Sequence, residues 1–439
     1  MRINLFAVCL LACVLAGSPK RARDPEPYEQ SPINYSATQP QDPIARIQAR
    51  LAAGEVKYGS TDRDLLLALL REFKVPVESQ VVVFSKTSLQ RHRIRPDHPR
   101  AIYFTDNAYI GWVPGGLMEV TTIDPVLGPV FYALDPAAVR ANAPRAFVRD
   151  GDCLRCHGGT FVRGIPSVFV RSLYTDPEGE PMLRFGSEVV DFRTPFENRW
   201  GGWYVTGKHG AALHRGNVLA QEKKDQLVVD FKRGANQTSL SGFFETQDYP
   251  ANGSDIIALL VLEHQTTMQN TLTRASVNCR RMLEYQKNLQ RDLKEPVSDD
   301  LTYDSVKSVF ESSAQEITDD CLFKGEAELP AGLEGSPAFQ GAFQRSARRA
   351  ADGHALRDFS LKGHLFANRC SYLIYSESFL QLPAQLKRRV YDRLTRALKA
   401  TDADPRYAHL GADERARIAG ILRATHPELR LVLDQSPAP

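Results

Sequence analysis

The stretch Cys153-Leu154-Arg155-Cys156-His157 is the feature around which this sequence is organised. Two thiols separated by two residues, with a histidine directly after the second, form the pattern that attaches a c-type haem. Each thiol adds across one vinyl group of the porphyrin, and the short spacing lets the imidazole reach the iron as proximal ligand. With 7 Cys and 10 His in 439 residues, only about 0.0025 accidental matches are expected. The motif therefore predicts one covalent haem c on Cys153 and Cys156, with His157 on the iron.

A Cys-X-X-Cys pair also occurs in redox disulfides and in zinc sites, and both alternatives stay open. A thioredoxin-like pair should begin a helix after a buried strand. Here Asp150-Gly151-Asp152 precedes the motif and Gly158-Gly159 follows it, which predicts a loop. A structural zinc site needs four ligands, usually as two spaced pairs, and the sequence has no second close pair outside the N-terminal apolar run that holds Cys9 and Cys13. Both alternatives are therefore less favoured than haem.

The composition is that of an ordinary soluble globular protein. Hydrophobic residues make up 43% and charged residues 24% of the 439 positions, and this length allows two or three domains. The formal net charge is only +3, so no nucleic-acid partner is predicted.

The N-terminal residues predict export. Arg2 precedes an apolar run at 5–15, which is followed by Ala16-Gly17, and this pattern is typical of a signal peptide at 1–17. Leu10-Leu11-Ala12-Cys13 also resembles the lipobox of bacterial lipoproteins. Both alternatives predict a periplasmic or other extracytoplasmic location, and the only predicted membrane contact is a lipid on Cys13.

The rest of the chain predicts an α+β fold in two parts. Residues 18–42 are rich in Pro, Gln, Ser and Arg, which predicts a flexible tether. Residues 43–250 begin with two short amphipathic helices and continue with β-rich runs, which predicts a sheet-containing haem domain. Residues 251–439 predict a mainly α-helical domain, beginning with a long helix capped by Ser254 or Asp255. The clearest β-rich runs lie at 81–84, 101–104, 109–113 and 130–134.

The sixth iron ligand is not fixed by the motif. His209 and His214 lie in glycine-flanked loops and are the first candidates for a distal ligand. His264 with Met268, or Met182, are alternatives, and an iron with no protein ligand on that side is another. Three arginines near the motif or near a candidate loop could pair with the haem propionates: Arg155, Arg163 and Arg215.

Two further patterns concern aromatic residues and thiols. Trp200-Gly201-Gly202-Trp203 allows close backbone approach, and its tryptophans either wall a flat apolar cofactor or fill a sheet core. Cys279, Cys321 and Cys370 remain after the signal peptide and the motif are set aside. Three is an odd number, so at least one thiol stays unpaired, and Cys321 with Cys370 is the first pair to test.

At the attachment motif the chain resembles c-type cytochromes, and more broadly it resembles exported bacterial proteins that contain a cytochrome c domain. The first likeness covers only residues 153–158, implies the thioether and proximal roles given above, and assigns no distal ligand. The second is carried by residues 99–104, 201–207 and 370–376. The order of strands before the motif is also similar to periplasmic sensor domains with a PAS-like sheet.

Three functions follow as hypotheses. The first is an exported monohaem c-type cytochrome that transfers single electrons to a redox partner protein. The second is a haem-based sensor or binding protein whose open iron takes a small ligand. The third is a haem-dependent oxidoreductase, which the motif alone does not favour.

Overall fold

A computed structural model describes residues 26–435, except 142, 144, 160, 161, 400 and 402. The predicted signal peptide at 1–17, with Cys13, lies outside the described residues. The fold is mixed, with 39% helix and 15% strand. A seven-stranded antiparallel sheet is followed by a helical C-terminal region, so the predicted order of a sheet and then helices is confirmed.

The large sheet is a meander that the chain later returns to complete. Strands β1 to β6 pair antiparallel in sequence order, and β9 adds to the free edge of β1. Two separate ribbons, β7–β8 and β10–β11, follow the meander in sequence. The strands are β1 Val81–Val83, β2 Arg100–Thr105, β3 Ala108–Trp112, β4 Met118–Asp124, β5 Gly128–Leu134, β6 Phe147–Arg149, β7 Val170–Leu173, β8 Ser187–Val190, β9 Trp203–Tyr204, β10 Ala220–Lys223 and β11 Gln226–Val229.

The sheet separates two hydrophobic cores. Alternate residues of a strand point to opposite faces, so Val82 enters one core while Val81 and Val83 enter the other. The first core also takes residues of the two N-terminal helices. The second core continues from the sheet into the helical region, so apolar contacts run across the sequence position near 250.

Residues 26–42 form a packed segment, unlike the flexible tether predicted for 18–42. Tyr28, Ile33 and Tyr35 are buried, and the Tyr35 hydroxyl donates to the carbonyl of Pro129 at 2.7 Å. The Asp42 carboxylate accepts hydrogen bonds from two sheet residues. The polar composition of the segment concealed these few apolar anchors, which are enough to fix it on the sheet.

The helices follow the predicted pattern with one addition. Thr61 caps the second helix in a complete capping box, and Asp255 caps the 37-residue α5. Within the stretch 324–363, Ser336 and Pro337 begin a nine-residue helix. The helices are α1 Ile44–Ala52, α2 Asp62–Glu72, α3 Pro136–Arg140, α4 Leu154–His157, α5 Ile256–Asp292, α6 Asp304–Cys321, α7 Pro337–Arg345, α8 Glu377–Leu380, α9 Ala384–Ala397, α10 Ala412–Thr425 and α11 Leu429–Gln435. Over the described residues, none of the helices combines the length and apolar character that a bilayer crossing needs.

Candidate functional site

The motif lies at the edge of the sheet, directly after β6. The Asp150 side chain accepts a hydrogen bond from the amide of Asp152 at 2.9 Å, which begins a 3₁₀ turn over Gly151–Cys153. One α-helical turn, α4, then carries the remaining four residues of the motif. The local structure is thus a compact double turn where the flanking glycines predicted a loop. It has no preceding parallel strand of the kind that a thioredoxin-like pair needs.

Hydrogen bonds to Ser167 hold both the backbone and the ring of His157. Its carbonyl accepts from the amide of Ser167 at 2.8 Å, and its ring Nδ1 lies 2.8 Å from the carbonyl oxygen of Ser167. The next residue, Val168, exchanges two backbone-to-side-chain hydrogen bonds with Asn270 of α5. The longest helix of the protein therefore fixes the loop that orients the His157 ring.

The environment of the ring leaves one nitrogen open. A proton on Nδ1 is donated to Ser167, and Nε2 of His157 has no hydrogen-bond partner among the described residues. The ring contacts Phe131 and Phe169, with centroid separations of 5.0 and 4.9 Å. Loss of water around the ring lowers the pKa of His157, which keeps the imidazole neutral at pH 7. A neutral imidazole with Nδ1 bonded to a carbonyl presents Nε2 as a metal ligand.

A large apolar cavity opens beside this ring. Its volume is about 190 Å³, and it is open to solvent. The sheet forms one wall, Leu262 and Thr266 of α5 form part of another, and Cys153, Cys156 and His157 all line it. The three residues that the motif predicts as the attachment site therefore face one shared space.

The sheet wall carries a polar feature that the motif did not indicate. Arg100 of β2 lies over Gly111 of β3, and a Cβ at Gly111 would clash with the Arg100 guanidinium. Nη2 of Arg100 is 2.5 Å from the carboxylate of Glu119. Nε of Arg100 is buried and has no partner within the described part of the chain. The cavity wall therefore carries the Arg100–Glu119 ion pair, in which Nε of Arg100 lies against Gly111.

The two motif thiols differ in environment. Cys156 is exposed and Cys153 is partly buried, and both are free thiols. Burial, then the carboxylates of Asp150 and Glu119, raise the pKa of Cys153 to about 12. Redox-active Cys-X-X-Cys pairs instead lower the pKa of one thiol to create a reactive thiolate. The surroundings of Cys153 do not fit that chemistry.

The structure does not bring the first distal-ligand candidates to the cavity. His209 and His214 contact each other, with ring centroids 4.6 Å apart, and both pack on Phe196. Nδ1 of His209 is bonded to the Ala212 carbonyl, and its Nε2 accepts from the amide of Asn236. Burial lowers the pKa of His214 to about 3. These two histidines belong to a separate aromatic cluster.

The other candidates are also placed elsewhere. His264 stacks on Phe323 and bonds to Ser371, and Met268 is buried in the core. Neither they nor Met182 are among the described residues that line the cavity. The arginines predicted for the propionates are likewise absent from that lining, and Arg215 pairs with Glu188. The lining contains Arg100 and Arg171 instead.

The two tryptophans of the Trp-Gly-Gly-Trp stretch lie in different surroundings, one at the cavity and one in the core. Trp203 lines the cavity and donates from Nε1 to the carbonyl of Arg171 at 2.8 Å. Trp200 is fully buried and donates to the Glu263 carboxylate at 2.6 Å. Gly201 allows close backbone approach, because a Cβ there would clash with the carbonyl of Leu173.

No family model, no curated protein and no solved structure matches this chain. Across the described residues, no group of three or more His, Cys, Asp or Glu side chains is arranged to hold a metal ion.

Proposed function

We propose that this protein is an exported monohaem c-type cytochrome that transfers single electrons to a redox partner protein. The observation that supports this most strongly is the joint placement of the motif. Both thiols and the His157 ring line one cavity, and the Ser167 carbonyl engages Nδ1 so that Nε2 is left for the iron. The location we propose is periplasmic or otherwise extracytoplasmic, because covalent haem attachment and the N-terminal signal both require export.

The cavity fits the chemistry of a haem group. Its walls are largely apolar, as a flat porphyrin requires, and Trp203 and Phe169 provide aromatic surface. Arg100 lines the cavity, so its guanidinium is a suitable partner for a propionate, and Gly111 provides the space in which that guanidinium lies. When bound, the haem would supply one-electron chemistry.

The residues of this chain would control three properties of that group. Cys153 and Cys156 would fix its position, and the Ser167 hydrogen bond would orient His157 and increase its basicity. Cys156 lines the cavity and is exposed, so one edge of the porphyrin would lie within reach of a partner. An exposed edge is what electron transfer between proteins requires.

The test is mass spectrometry of the protein exported by cells that mature c-type cytochromes. We expect one haem that stays on the polypeptide after acid and organic-solvent extraction. The Cys153→Ser/Cys156→Ser variant should lack it, and the control Cys279→Ser, at a buried position on α5, should retain it. A bare polypeptide mass for the parent protein would exclude the proposal.

A second function is favoured by one observation about the cavity. His157 is the only His or Met among its described lining residues. An iron without a second strong protein ligand is open to small molecules, which favours a haem-based sensor whose sheet serves as a PAS-like ligand-binding domain. Visible spectra separate the two functions. A low-spin iron that does not bind CO supports electron transfer, and a high-spin iron that binds CO supports sensing.

A further inference from the structure

Two cysteines outside the motif meet where α6 ends. Sγ of Cys321, the last residue of α6, lies 3.7 Å from Sγ of Cys370. Both residues are fully buried. The third cysteine of this region, Cys279, is also buried, and its thiol is bonded to Ser313. The described cysteines outside the motif are therefore one close pair, Cys321 with Cys370, and one single thiol, Cys279.

A backbone hydrogen bond links the two segments that carry Cys321 and Cys370. The amide of Ser371 donates to the carbonyl of Cys321 at 2.7 Å, so the two segments are bonded directly next to the sulfurs. Closing the gap from 3.7 Å to a disulfide requires a shortening of about 1.7 Å.

We infer that Cys321 and Cys370 form a disulfide bond in the exported protein. This inference rests on the export proposed above, because disulfides form and persist in oxidising compartments. One thiolate attacks an external disulfide, such as that of a thiol–disulfide exchange protein, and the second then displaces the external sulfur. The Cys321–Cys370 bond forms, the external disulfide becomes two thiols, and these thiols take the two protons.

The burial of the pair determines when the bond can form. Neither sulfur is accessible in the folded protein, so oxidation precedes the final packing of α6 against residues 370–375. Once formed, the bond is protected from reductants until the region opens.

The bond would restrict a long segment of the chain. Cys321 and Cys370 are 49 positions apart, and the stretch 324–363 lies between them. A crosslink over a segment of this length reduces the entropy of the unfolded chain. It would also fix Ser371, whose hydroxyl is 2.8 Å from Nε2 of His264 on α5.

The test is to trap thiols in the exported full-length protein under denaturing, non-reducing conditions and then to map its peptides by mass spectrometry. We expect Cys279 to be alkylated and the peptides of Cys321 and Cys370 to be joined, with a mass two hydrogens below their sum. Alkylation of both Cys321 and Cys370 without reductant would overturn the inference. The same map reports haem on the peptide that holds Cys153, so failure of the haem proposal is recognised separately.

Variants provide a matched comparison. Cys321→Ser should free Cys370 for alkylation and lower the melting temperature by roughly 5–10 °C, whereas Cys279→Ser should leave the joined peptides intact. In native protein, a reductant should fail to open the bond at concentrations that open it in denaturant. Opening at equal rates in both conditions would contradict the buried bond described here.

Discussion

The carbonyl oxygen of Ser167 lies 2.8 Å from Nδ1 of His157 and fixes the direction in which the ring presents its second nitrogen. Two side-chain bonds from Asn270 to Val168 anchor this carbonyl on α5. Because the acceptor is a backbone atom, no side-chain substitution at Ser167 removes it. The orientation of His157 is thus a property of the fold.

His157 should control the coordination of the iron. We expect His157→Ala to change the visible spectrum of the haem or to reduce haem content to a small fraction of the parent, because the only imidazole among the described lining residues of the cavity is lost. His209→Ala is the control, since that ring lies in the aromatic cluster around Phe196. Its visible spectrum should match the parent. A changed spectrum in His209→Ala and an unchanged one in His157→Ala would show that the ligands have been assigned incorrectly.

Gly111 should be required for the position of Arg100. Gly111→Ala places a methyl group against the guanidinium, so the ion pair with Glu119 should break and the free energy of unfolding should fall by about 1–3 kcal/mol. Gly420→Ala, in α10 with no neighbour near its Cβ position, is the matched control. It should instead stabilise the protein by roughly 0.5–1 kcal/mol through helix propensity. Denaturant titration of both variants checks the opposite signs.

Loss of the buried ion pair Arg199–Glu263 should strongly lower the free energy of unfolding. The two side chains are 2% and 0% exposed, with Nη1 of Arg199 2.5 Å from the carboxylate. Glu263→Gln leaves the guanidinium buried without a counter-charge, and we expect a loss of about 3–5 kcal/mol. The surface pair Lys208–Glu334 supplies the comparison, because both side chains are more than half exposed. Glu334→Gln should change stability by less than about 0.5 kcal/mol, and equal losses in the two variants would refute this account.

Acid should destabilise the protein through His264. Burial is the main cause that lowers the pKa of His264 to about 3, against about 6.5 in an unfolded chain. Between these values the unfolded chain binds a proton that the folded protein does not. The contribution of His264 is therefore complete above pH 6.5 and falls by up to about 1.4 kcal/mol per pH unit toward pH 3.

The measurement is the free energy of unfolding at a series of pH values. In His264→Gln the slope below pH 6.5 should be smaller than in the parent by that amount, and a slope equal to that of the parent would contradict this account. Buried carboxyls act in the opposite direction, since burial raises the pKa of Asp255 to about 6. The difference between variants is therefore more informative than the total slope.

Local sequence signals predicted many of the helices and strands. Features that depend on contacts between distant residues were not predicted. The long helix after Asp255 is encoded by its cap and the residues next to it, and it is confirmed. Strand β4 was not predicted, although its burial partly alternates along the sequence. The packed segment at 26–42 was not recognised because its anchors are few.

The candidate site likewise contains residues that a local motif predicts and residues that only the fold brings together. The motif identifies Cys153, Cys156 and His157 without any knowledge of the fold. Arg100 enters the site only because β2, β3 and β4 are neighbours in the sheet, and no spacing in the sequence indicates that relationship. Glycine-flanked histidines such as His209 occur equally well in a ligand loop and in an aromatic cluster, so composition could not separate the two.

The dimensions of the sheet limit how another molecule can approach it. The outermost strands, β6 and β9, have three and two residues. A chain that tried to extend the sheet by hydrogen bonding to either border would find room for very few backbone bonds, and such short borders resist intermolecular β-pairing. Crowding of copies at high concentration should therefore not produce fibres through the borders of this sheet.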